Sequence, residues 1–378
     1  MKIIIGADLV PTKSNYSYFS NGNIESIIDD GIIDIINSAN YRIFNLEVPL
    51  TDTVNNISKA GPHLIAPTST INGIKKLNID FFTLANNHIL DQNVEGLEST
   101  MNVLNNNHIA FAGVGNIDEA AKCYFIELEG KKIGIFCCTE HEFSIVESDR
   151  VGANPFIALD TPDLILEYKK QCDYLIILYH GGKEQYRYPS PNLQKICHKL
   201  VDKGADLIVC QHSHCIGCEE KYKHGTIVYG QGNFLFDRFS NEFWNESLLL
   251  ELKIDDDNVN INYIPIVKNG NGVVLADKIS KERILTQFIK RSEEIKTYKF
   301  IENEYEKYAL KNLDNYILSL CMVNNGFVFK VFNKLSFRKF QKIIVKRYIK
   351  KKRNTLINKI ECEAHSELLL TALKNIEK

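Results

Sequence analysis

Long apolar runs are missing from this 378-residue sequence, and no window approaches the roughly 20 apolar residues that a membrane-spanning helix needs. Even the apolar run at residues 174–178 has only the length of a buried strand. Residues 1–5 are too few to form a cleavable secretory segment, and ten cysteines without such a segment indicate a reducing compartment. These absences predict a soluble, cytoplasmic protein.

Internal repeats and low-complexity blocks are also absent, and the formal net charge is only −2. That small value hides an asymmetry, because residues 330–353 contain many Lys and Arg and neither Asp nor Glu, whereas the first 275 residues lean acidic. Only the basic segment is therefore suited to an anionic partner.

Short runs rich in Ile, Val, Leu and Phe, without polar alternation, recur along the first 210 residues. Such runs are typical of strands that are covered on both faces, and segments of helical period separate them. Asn192 could cap the last of these helices, and Gly204 lies where that helix would end. The alternation predicts a layered α/β fold. The predicted strands are 2–5, 42–46, 81–84, 132–138, 174–179 and 206–210, and the predicted helices include 24–38, 94–106 and 192–203.

From residue 247 to 266 the pattern changes to two alternating strands joined by an acidic turn at 255–258, which predicts a hairpin on the sheet edge. Beyond residue 272 the composition shifts to Lys, Glu and Asn with helical periodicity. We therefore predict a domain over residues 1–275 and a helical, basic C-terminal extension over 276–378.

Side chains that bind metals follow one predicted strand after another. In a parallel α/β sheet the carboxyl ends of the strands lie along one edge, so these residues would converge on a single crevice. Carboxylates, an amide and imidazoles together suit one or two divalent ions such as Mn, Fe or Zn rather than Ca. A pair of such ions can promote in-line attack on phosphorus by stabilising the attacking and leaving oxygens. The residues are Asp8, Glu47, Asn87, His180, His212 and His214.

A rival interpretation places a structural zinc knuckle at His212 and His214. Cys210, Cys215 and Cys218 surround His212 and His214, and the C-x-x-C spacing of the last two cysteines fits zinc or a redox pair. A second C-x-x-C is missing from this region, so we favour the metal crevice.

Several ordered motifs give the chain a family resemblance. It resembles the capsule-synthesis protein A (CapA) family, also called the poly-gamma-glutamate capsule proteins, a branch of the calcineurin-like metallophosphoesterases. The resemblance covers about residues 3 to 237 in family order. The matching stretches are 6–8, 45–51, 84–91, 112–115, 180–184, 204–214 and 229–237.

The resemblance implies a four-layer α/β/β/α metallophosphoesterase-like sandwich and, as in catalytic members of the superfamily, a two-metal centre. Asp8 and His214 would hold the first metal, and Glu47 would bridge both ions. The second metal would be held by Asn87, His180 and His212.

The resemblance also assigns catalytic roles. His88 would give a proton or a hydrogen bond to the leaving oxygen, with Asp91 orienting it. The nucleophile would be water made acidic by the metals. Lys59 or His63 would meet an anionic substrate from a loop that resembles the family's closing loop, and Glu184 in the matching stretch 180–184 is a further candidate contact. Asn233 follows a predicted strand, where it either offers its amide to a phosphoryl oxygen or belongs to a turn beside a core Phe.

Three positions depart from the superfamily pattern. Val10 stands where a metal-binding His is common, two residues after Asp8, so the first metal lacks one expected ligand. Ala7 replaces the usual Gly before that Asp, and Gln211 replaces the usual Gly before the His pair.

These observations predict a metal-dependent phosphoesterase that acts on an anionic small molecule or polymer in capsule or cell-surface polymer synthesis. The alternative is a non-catalytic assembly protein that holds an anionic polymer on the same fold, and amide or ester hydrolysis is a third option. Residues 327–353 are amphipathic, and they either dock on the body of the protein or attach the chain to an anionic membrane surface on the inner face. Nucleic acid is not expected as a partner.

Overall fold

The structure is a computed structural model that describes residues 1–255, 259–320 and 339–375. The chain divides into two compact units, Met1–Ile301 and Glu302–Lys378. The strands are β1 (Lys2–Val10), β2 (Tyr41–Leu46), β3 (Phe81–Thr83), β4 (Ala110–Ala112), β5 (Val114–Gly115), β6 (Tyr124–Leu128), β7 (Lys131–Thr139), β8 (Gly152–Ala153), β9 (Tyr174–His180), β10 (Leu207–Gln211), β11 (Glu219–Tyr222), β12 (Gly225–Tyr229), β13 (Asn233–Phe236), β14 (Glu246–Ile254), β15 (Val259–Asn269) and β16 (Gly272–Leu275).

Two sheets form the centre of the first unit. The first has the order β16-β15-β14-β1-β2-β3-β4, with β13 also paired to β1, and the second has the order β11-β12-β10-β9-β7-β6. Strands β1 to β4 run parallel, as do β7, β9, β10 and β12. The predicted hairpin is confirmed, because β14 and β15 pair antiparallel with Leu250 opposite Tyr263; β14 borders β1, and β16 rather than the hairpin itself forms the edge of the sheet.

The hydrophobic core lies in three layers, which accounts for the lack of polar alternation in the strands. Ile5 of the first sheet and Ile135 of the second belong to one cluster between the sheets. Helical residues such as Ile32 pack with the outer face of the first sheet, and Leu200 packs with the outer face of the second. This arrangement is the predicted four-layer α/β/β/α sandwich.

The described helices up to residue 320 are α1 (Tyr16–Ser20), α2 (Asp30–Asn37), α3 (Ile71–Lys76), α4 (Asn93–Asn106), α5 (Ile117–Ala120), α6 (Thr161–Lys169), α7 (Pro191–Asp202), α8 (Lys278–Glu294) and α9 (Phe300–Leu320), with 3-10 turns at Ile24–Ser26 and Thr68–Thr70. Helices α1 to α8 belong to the first unit, and α9 begins at its end.

Two predicted helix starts are wrong. The helix predicted from residue 24 begins with a 3-10 turn, and α2 starts after Asp29, whose carboxylate accepts a hydrogen bond from Gly31 N at 2.9 Å. Helix α7 is capped by Ser190 rather than Asn192, because Ser190 Oγ accepts from Leu193 N at 3.1 Å. Pro191 fits the first helical position, where its missing N–H has no helical partner.

Helix α8 belongs to the first unit, since Ile284 and Phe288 join the cluster between the sheets. The boundary predicted after residue 275 precedes this helix, and the compact units divide after Ile301 instead.

The second unit contains most of α9 and the further helices Lys339–Glu361 and Glu363–Asn375, with Ile317, Leu318 and Val345 in a small core. Of the basic segment 327–353, the part at 327–338 lies outside the described residues, and the remainder is helical. Across the described parts of the chain, no helix combines the length and apolar character needed to cross a membrane.

Candidate metal centre and catalytic site

The predicted metal-binding residues lie where strands of both sheets end. Asp8, near the end of β1, pairs in register with Asn45 of β2 and with Asn233 of β13. His180 is the last residue of β9, and His212 follows β10 directly. The shared sheet edge therefore collects residues that are up to two hundred positions apart in sequence.

Buried carboxylate oxygens without hydrogen-bond partners mark the centre. Both oxygens of Glu47 and Oδ2 of Asp8 are buried and lack a partner among the described residues, and both side chains are 0% exposed. His180 Nε2 lies 3.5 Å from Glu47 Oε1, and His214 Nδ1 lies 3.4 Å from Asp8 Oδ2. A buried carboxylate without a partner is costly, so this donor set fits a cation. Glu47, His212 and His214 each offer a ligand atom within 4.8 Å of the others.

The imidazoles and amides form one connected cluster. His180 Nε2 lies 3.0 Å from Asn87 Oδ1 and 3.1 Å from His212 Nδ1. Asn45 Nδ2 donates to Asp8 Oδ1 at 2.7 Å and lies 3.2 Å from His180 Nδ1. Asn45 thus joins a carboxylate of the first sheet to an imidazole of the second.

The pKa values of His212 and His214 are shifted in opposite directions. Burial and the neighbouring His180 and His214 hold the pKa of His212 well below its ordinary value, so its ring is neutral and can donate a lone pair. Burial also lowers the pKa of His214, but the carboxylates of Glu47 and Asp8 outweigh it and raise that pKa to about 9. The carboxylates therefore attract positive charge at this point.

A second group able to hold a metal was missed from the sequence. Glu140, Glu142 and His212 offer ligand atoms within 4.8 Å of one another. Glu140 Oε1 lies 3.5 Å from His212 Nε2, and Glu142 Oε2 accepts from Asn87 Nδ2 at 2.8 Å. Burial raises the pKa of Glu140 above its ordinary value. Both glutamates follow the end of β7, so the pattern that identified the other candidates could also have found them.

The backbone at the His pair is strained. His212 has φ 86° and His214 has φ 51°, which is the left-handed region that non-glycine residues rarely adopt. Residues in such conformations cluster at functional sites, because the surrounding structure must hold them there. The turn after β10 thus presents both rings to the centre at a conformational cost.

His88 connects this centre to a buried ion pair. Its Nδ1 lies 2.6 Å from Asp91 Oδ2, and its Nε2 lies 4.0 Å from Glu47 Oε1. Lys59 forms a salt bridge with the other oxygen of Asp91, and Leu64 N donates to Asp91 Oδ2 at 2.6 Å. One ring nitrogen of His88 is therefore held by the carboxylate, and the other faces the centre.

Asn86, which the sequence places directly before Asn87 and His88 after a predicted strand, is a positioning residue. Its amide donates to Asn45 Oδ1 at 3.1 Å and to Leu46 O at 2.9 Å, and its carbonyl oxygen accepts from His88 N at 3.1 Å. These hydrogen bonds of Asn86 connect the turn that carries His88 to the end of β2.

The predicted substrate contacts are not all brought together. Lys59 is 2% exposed and is paired with Asp91 rather than facing solvent. His63 donates from Nε2 to Ile57 O at 2.7 Å, and Glu184 is exposed. Asn233 Oδ1 lies 2.8 Å from His214 Nδ1, while its buried Nδ2 has no partner among the described residues. Asn233 therefore has a polar atom left for a ligand beside the metal-binding residues, and the exposed Glu184 carboxylate lies near enough to His214 to help raise its pKa.

The positions that depart from the superfamily pattern have structural roles. Val10 is 1% exposed and contributes to the apolar core. Gln211 donates to Gly6 O at 3.1 Å, which ties the second sheet to the first. Among the described residues, the groups able to hold a metal contain no cysteine, and burial raises the pKa of the Cys215 thiol to about 11. The zinc-knuckle interpretation thus gains no geometric support.

The chain is similar to several known proteins. The chain is 25% identical over 266 residues to the capsule biosynthesis protein CapA of Bacillus anthracis, covering 68% of this chain and 65% of that protein. It is 26% identical over 214 residues to the PGA biosynthesis protein CapA of Bacillus subtilis (strain 168), covering 54% and 55%. The chain thus spans less than two thirds of the length of either relative.

Solved structures with a similar arrangement include a putative 5'-nucleotidase from Staphylococcus aureus, at TM-score 0.43 and 14% identity over 76% of this chain and 58% of that one. A phosphatase from Mycoplasma pneumoniae has TM-score 0.40 and 14% identity, over 72% and 90%. Residues 2–238 match the family described as bacterial capsule synthesis protein PGA_cap. This match covers more than half of the chain, which therefore belongs to that family.

Proposed function

We propose that this chain is a metal-dependent phosphoesterase that serves the synthesis of a capsule or another cell-surface polymer. The observation that carries the chemistry is the set of three buried carboxylate oxygens on Asp8 and Glu47 that lack hydrogen-bond partners among the described residues, two of which lie within 3.5 Å of a histidine nitrogen. The pathway is supported by family membership and by the names of the Bacillus relatives.

The predicted ligands would hold one or two divalent ions, with Mn, Fe or Zn suited to the mixture of oxygen and nitrogen donors. Bound divalent ions supply Lewis acidity, which lowers the pKa of water and polarises a phosphoryl oxygen. Glu140 and Glu142 extend the predicted set on the His212 side. The residues that would bind the ions are Asp8, Glu47, Asn87, His180, His212 and His214.

His88 is the proton donor in this proposal. Asp91 Oδ2 accepts a hydrogen bond from His88 Nδ1, which fixes the orientation of the ring. The proton on Nε2 is then available to the leaving oxygen. Lys59 balances the charge of Asp91 in a place closed to water. The free Nδ2 of Asn233 is positioned to donate to a phosphoryl oxygen.

A non-catalytic role in polymer assembly is the second candidate. It is favoured by Val10, which supplies no ligand where the superfamily commonly has a histidine. A relative from Mycobacterium tuberculosis, 24% identical over 240 residues, is also described as a probable polyglutamine synthesis accessory protein. On this view the centre would bind an anionic polymer without cleaving it.

Metal analysis together with hydrolysis assays distinguishes the phosphoesterase from the non-catalytic polymer-binding protein. Metal content of the purified chain is measured by mass spectrometry, and hydrolysis of an aryl phosphate, an aryl phosphodiester and an aryl ester is followed with added Mn, Fe or Zn. We expect phosphoester hydrolysis that falls about 100- to 10,000-fold in His88→Ala with metal content retained. His212→Ala should lose both metal and activity.

The matched control is His224→Ala, because His224 is exposed in the turn between β11 and β12. Its activity should equal that of the wild type. A wild-type chain that holds metal but is inert on every substrate would contradict the enzyme proposal and favour polymer binding, and hydrolysis of the aryl ester alone would indicate carbonyl chemistry.

A further inference from the structure

Trp244 is the only tryptophan of the chain, and its indole lies against the imidazole of His214. The two ring centroids are 4.5 Å apart and the ring planes are inclined by 32°. Both side chains are buried, so this tilted stack is closed to solvent. Aromatic rings at such a distance attract each other beyond the effect of burial alone. The indole therefore covers one face of a predicted metal ligand.

Two phenylalanines hold the indole in this place. The Phe236 ring packs edge-on to Trp244 with the centroids 4.9 Å apart, and it also packs edge-on to His214 at 5.7 Å. Phe239 packs edge-on to Trp244 from a centroid distance of 5.0 Å. The indole N–H is buried and has no hydrogen-bond partner among the described residues. Ring packing rather than hydrogen bonding therefore fixes the indole, and a phenyl ring at position 244 could keep much of that packing.

The loop that carries Trp244 is also tied to the turn that carries His214. This loop joins β13 to β14. The Arg187 guanidinium donates one hydrogen bond to Glu242 O at 3.1 Å, in this loop, and another to Ile216 O at 3.2 Å. Ile216 lies two positions after His214. A single side chain therefore keeps the loop and the turn at a fixed separation, which holds the two rings in contact.

His214 has a backbone and a ligand role that need such support. Its φ of 51° is a strained conformation, which persists only where the surrounding structure holds it. Its Nδ1 lies 3.4 Å from Asp8 Oδ2, so the plane of the ring decides whether histidine and carboxylate can share one cation. Val10 supplies no ligand to the predicted first metal. A site with few ligands depends strongly on how well each of them is oriented.

We propose that Trp244 is a positioning residue of the metal centre. Its indole fixes the plane of the His214 imidazole, so that the ring is oriented to bind the predicted first metal before the ion arrives. This role rests on the proposed metal-dependent function and extends the centre beyond its ligands. Removing the aromatic ring should lower the affinity for metal, and keeping an aromatic ring should preserve it.

The affinity is measured by calorimetric titration of the full, metal-free chain with Zn. We expect Trp244→Leu to weaken Zn binding about 10- to 100-fold, because residues that orient a metal ligand have effects of this size. Trp244→Phe restores a ring against His214 and should bind Zn within about threefold of the wild type. The matched control is Phe19→Leu, which removes another buried aromatic ring, on α1, and should leave Zn binding unchanged.

Fluorescence gives a second readout, because the emission of the whole chain comes from one tryptophan. Zn binding at His214 should change the emission of Trp244 in the wild type, with the dissociation constant found by calorimetry. Arg187→Met keeps Trp244 but removes the hydrogen bonds that tie its loop to the turn, so it should weaken Zn binding and reduce the change in emission. This variant tests the same role if Trp244→Leu does not fold.

Several results would overturn the positioning role. They are wild-type Zn affinity in Trp244→Leu, an equal loss in Phe19→Leu, a Trp244→Phe variant as weak as Trp244→Leu, and emission that stays constant up to saturating Zn. None of these readouts involves hydrolysis. Zn binding that depends on Trp244, in a chain inert on every phosphoester, would support the positioning role and sink the phosphoesterase. Phosphoester hydrolysis with Zn binding that is independent of Trp244 would do the reverse, and a wild type that takes up no metal would overturn both.

Discussion

Lys59 and Asp91 form a salt bridge in which the side chains are 2% and 0% exposed. The second oxygen of Asp91 is shared by His88 Nδ1 and Leu64 N, so a single carboxylate joins the loop around residue 59 to the proposed proton donor. The ion pair is closed to solvent. Removing the Lys59 cation would therefore leave the Asp91 carboxylate as a buried charge.

Lys59→Met should therefore lower the free energy of unfolding by about 3–5 kcal/mol, because Asp91 would keep its charge without its partner. Urea denaturation measures the change. Lys170→Met is the control, since it breaks an exposed pair with Glu167 and should cost less than about 1 kcal/mol. Adding Asp91→Asn to Lys59→Met should recover part of the loss, and strictly additive effects of the two changes would contradict a coupled pair.

Glu47→Gln should abolish metal binding, because it removes a charged oxygen donor from the centre. Both Glu47 oxygens are buried without hydrogen-bond partners among the described residues, and Oε1 lies 3.5 Å from His180 Nε2. Thermal unfolding with a chelator and with Mn measures the effect. Wild type should gain Tm with Mn and the variant should not; a Mn-dependent gain of equal size in both chains would show that Glu47 is not a ligand.

Glu140→Gln should weaken metal binding about 10- to 100-fold, because its carboxylate lies 3.5 Å from the His212 ring. Calorimetric titration with Mn or Zn gives the affinity. Glu147→Gln is the matched control, since Glu147 is exposed and paired with Arg150 at 3.2 Å. An unchanged affinity in Glu140→Gln would restrict the centre to the ligands predicted from the sequence.

Gly217→Ala should destabilise the chain by at least about 3 kcal/mol, because a Cβ atom there would lie 1.6 Å from the backbone oxygen of Tyr229. Gly270→Ala meets nothing within 4 Å and has φ +58°, so it should cost only the backbone strain of about 1–2 kcal/mol. Chemical denaturation compares the two. Similar losses would mean that the backbone near Gly217 moves to accept the methyl group.

Membrane attachment through the basic segment remains a prediction, and the exposed cations at 350–353 allow a test within the described helix Lys339–Glu361. Replacing these four residues by Gln should lower binding to anionic vesicles at least about tenfold in a co-sedimentation assay. Neutral vesicles serve as the control. Equal recovery of both chains would favour the alternative in which these cations simply face water.

The sequence predicts which residues of the centre lie together when they follow buried parallel strands. Parallel strands end at one edge, so the positions of Asp8, His180 and His212 after apolar runs were enough to bring them together. Glu140 follows the same rule and was overlooked, because β7 continues to Thr139, beyond the predicted end of the strand.

The remaining contacts were not visible in the sequence. Lys59 lies in a loop without periodicity, and its pairing with Asp91 joins residues that are 32 positions apart. Asn45 and Asn86 act through side-chain hydrogen bonds between turns, which depend on the packed geometry rather than on any spacing. The cap at Ser190 could have been predicted from Pro191, whose preference for the first helical position is strong.

The hydrogen bond from Gln211 to Gly6 holds the two sheets together where the ligands emerge, and each sheet supplies a different half of the donor set. Asp8 and Glu47 come from the first, whereas His180, His212 and His214 come from the second. A partly folded chain with only one sheet formed would lack either the carboxylates of Asp8 and Glu47 or the imidazoles of His180, His212 and His214. We therefore expect the chain to take up metal only after both sheets have formed and packed together. Loss of the ion should be an early sign that the two sheets have separated.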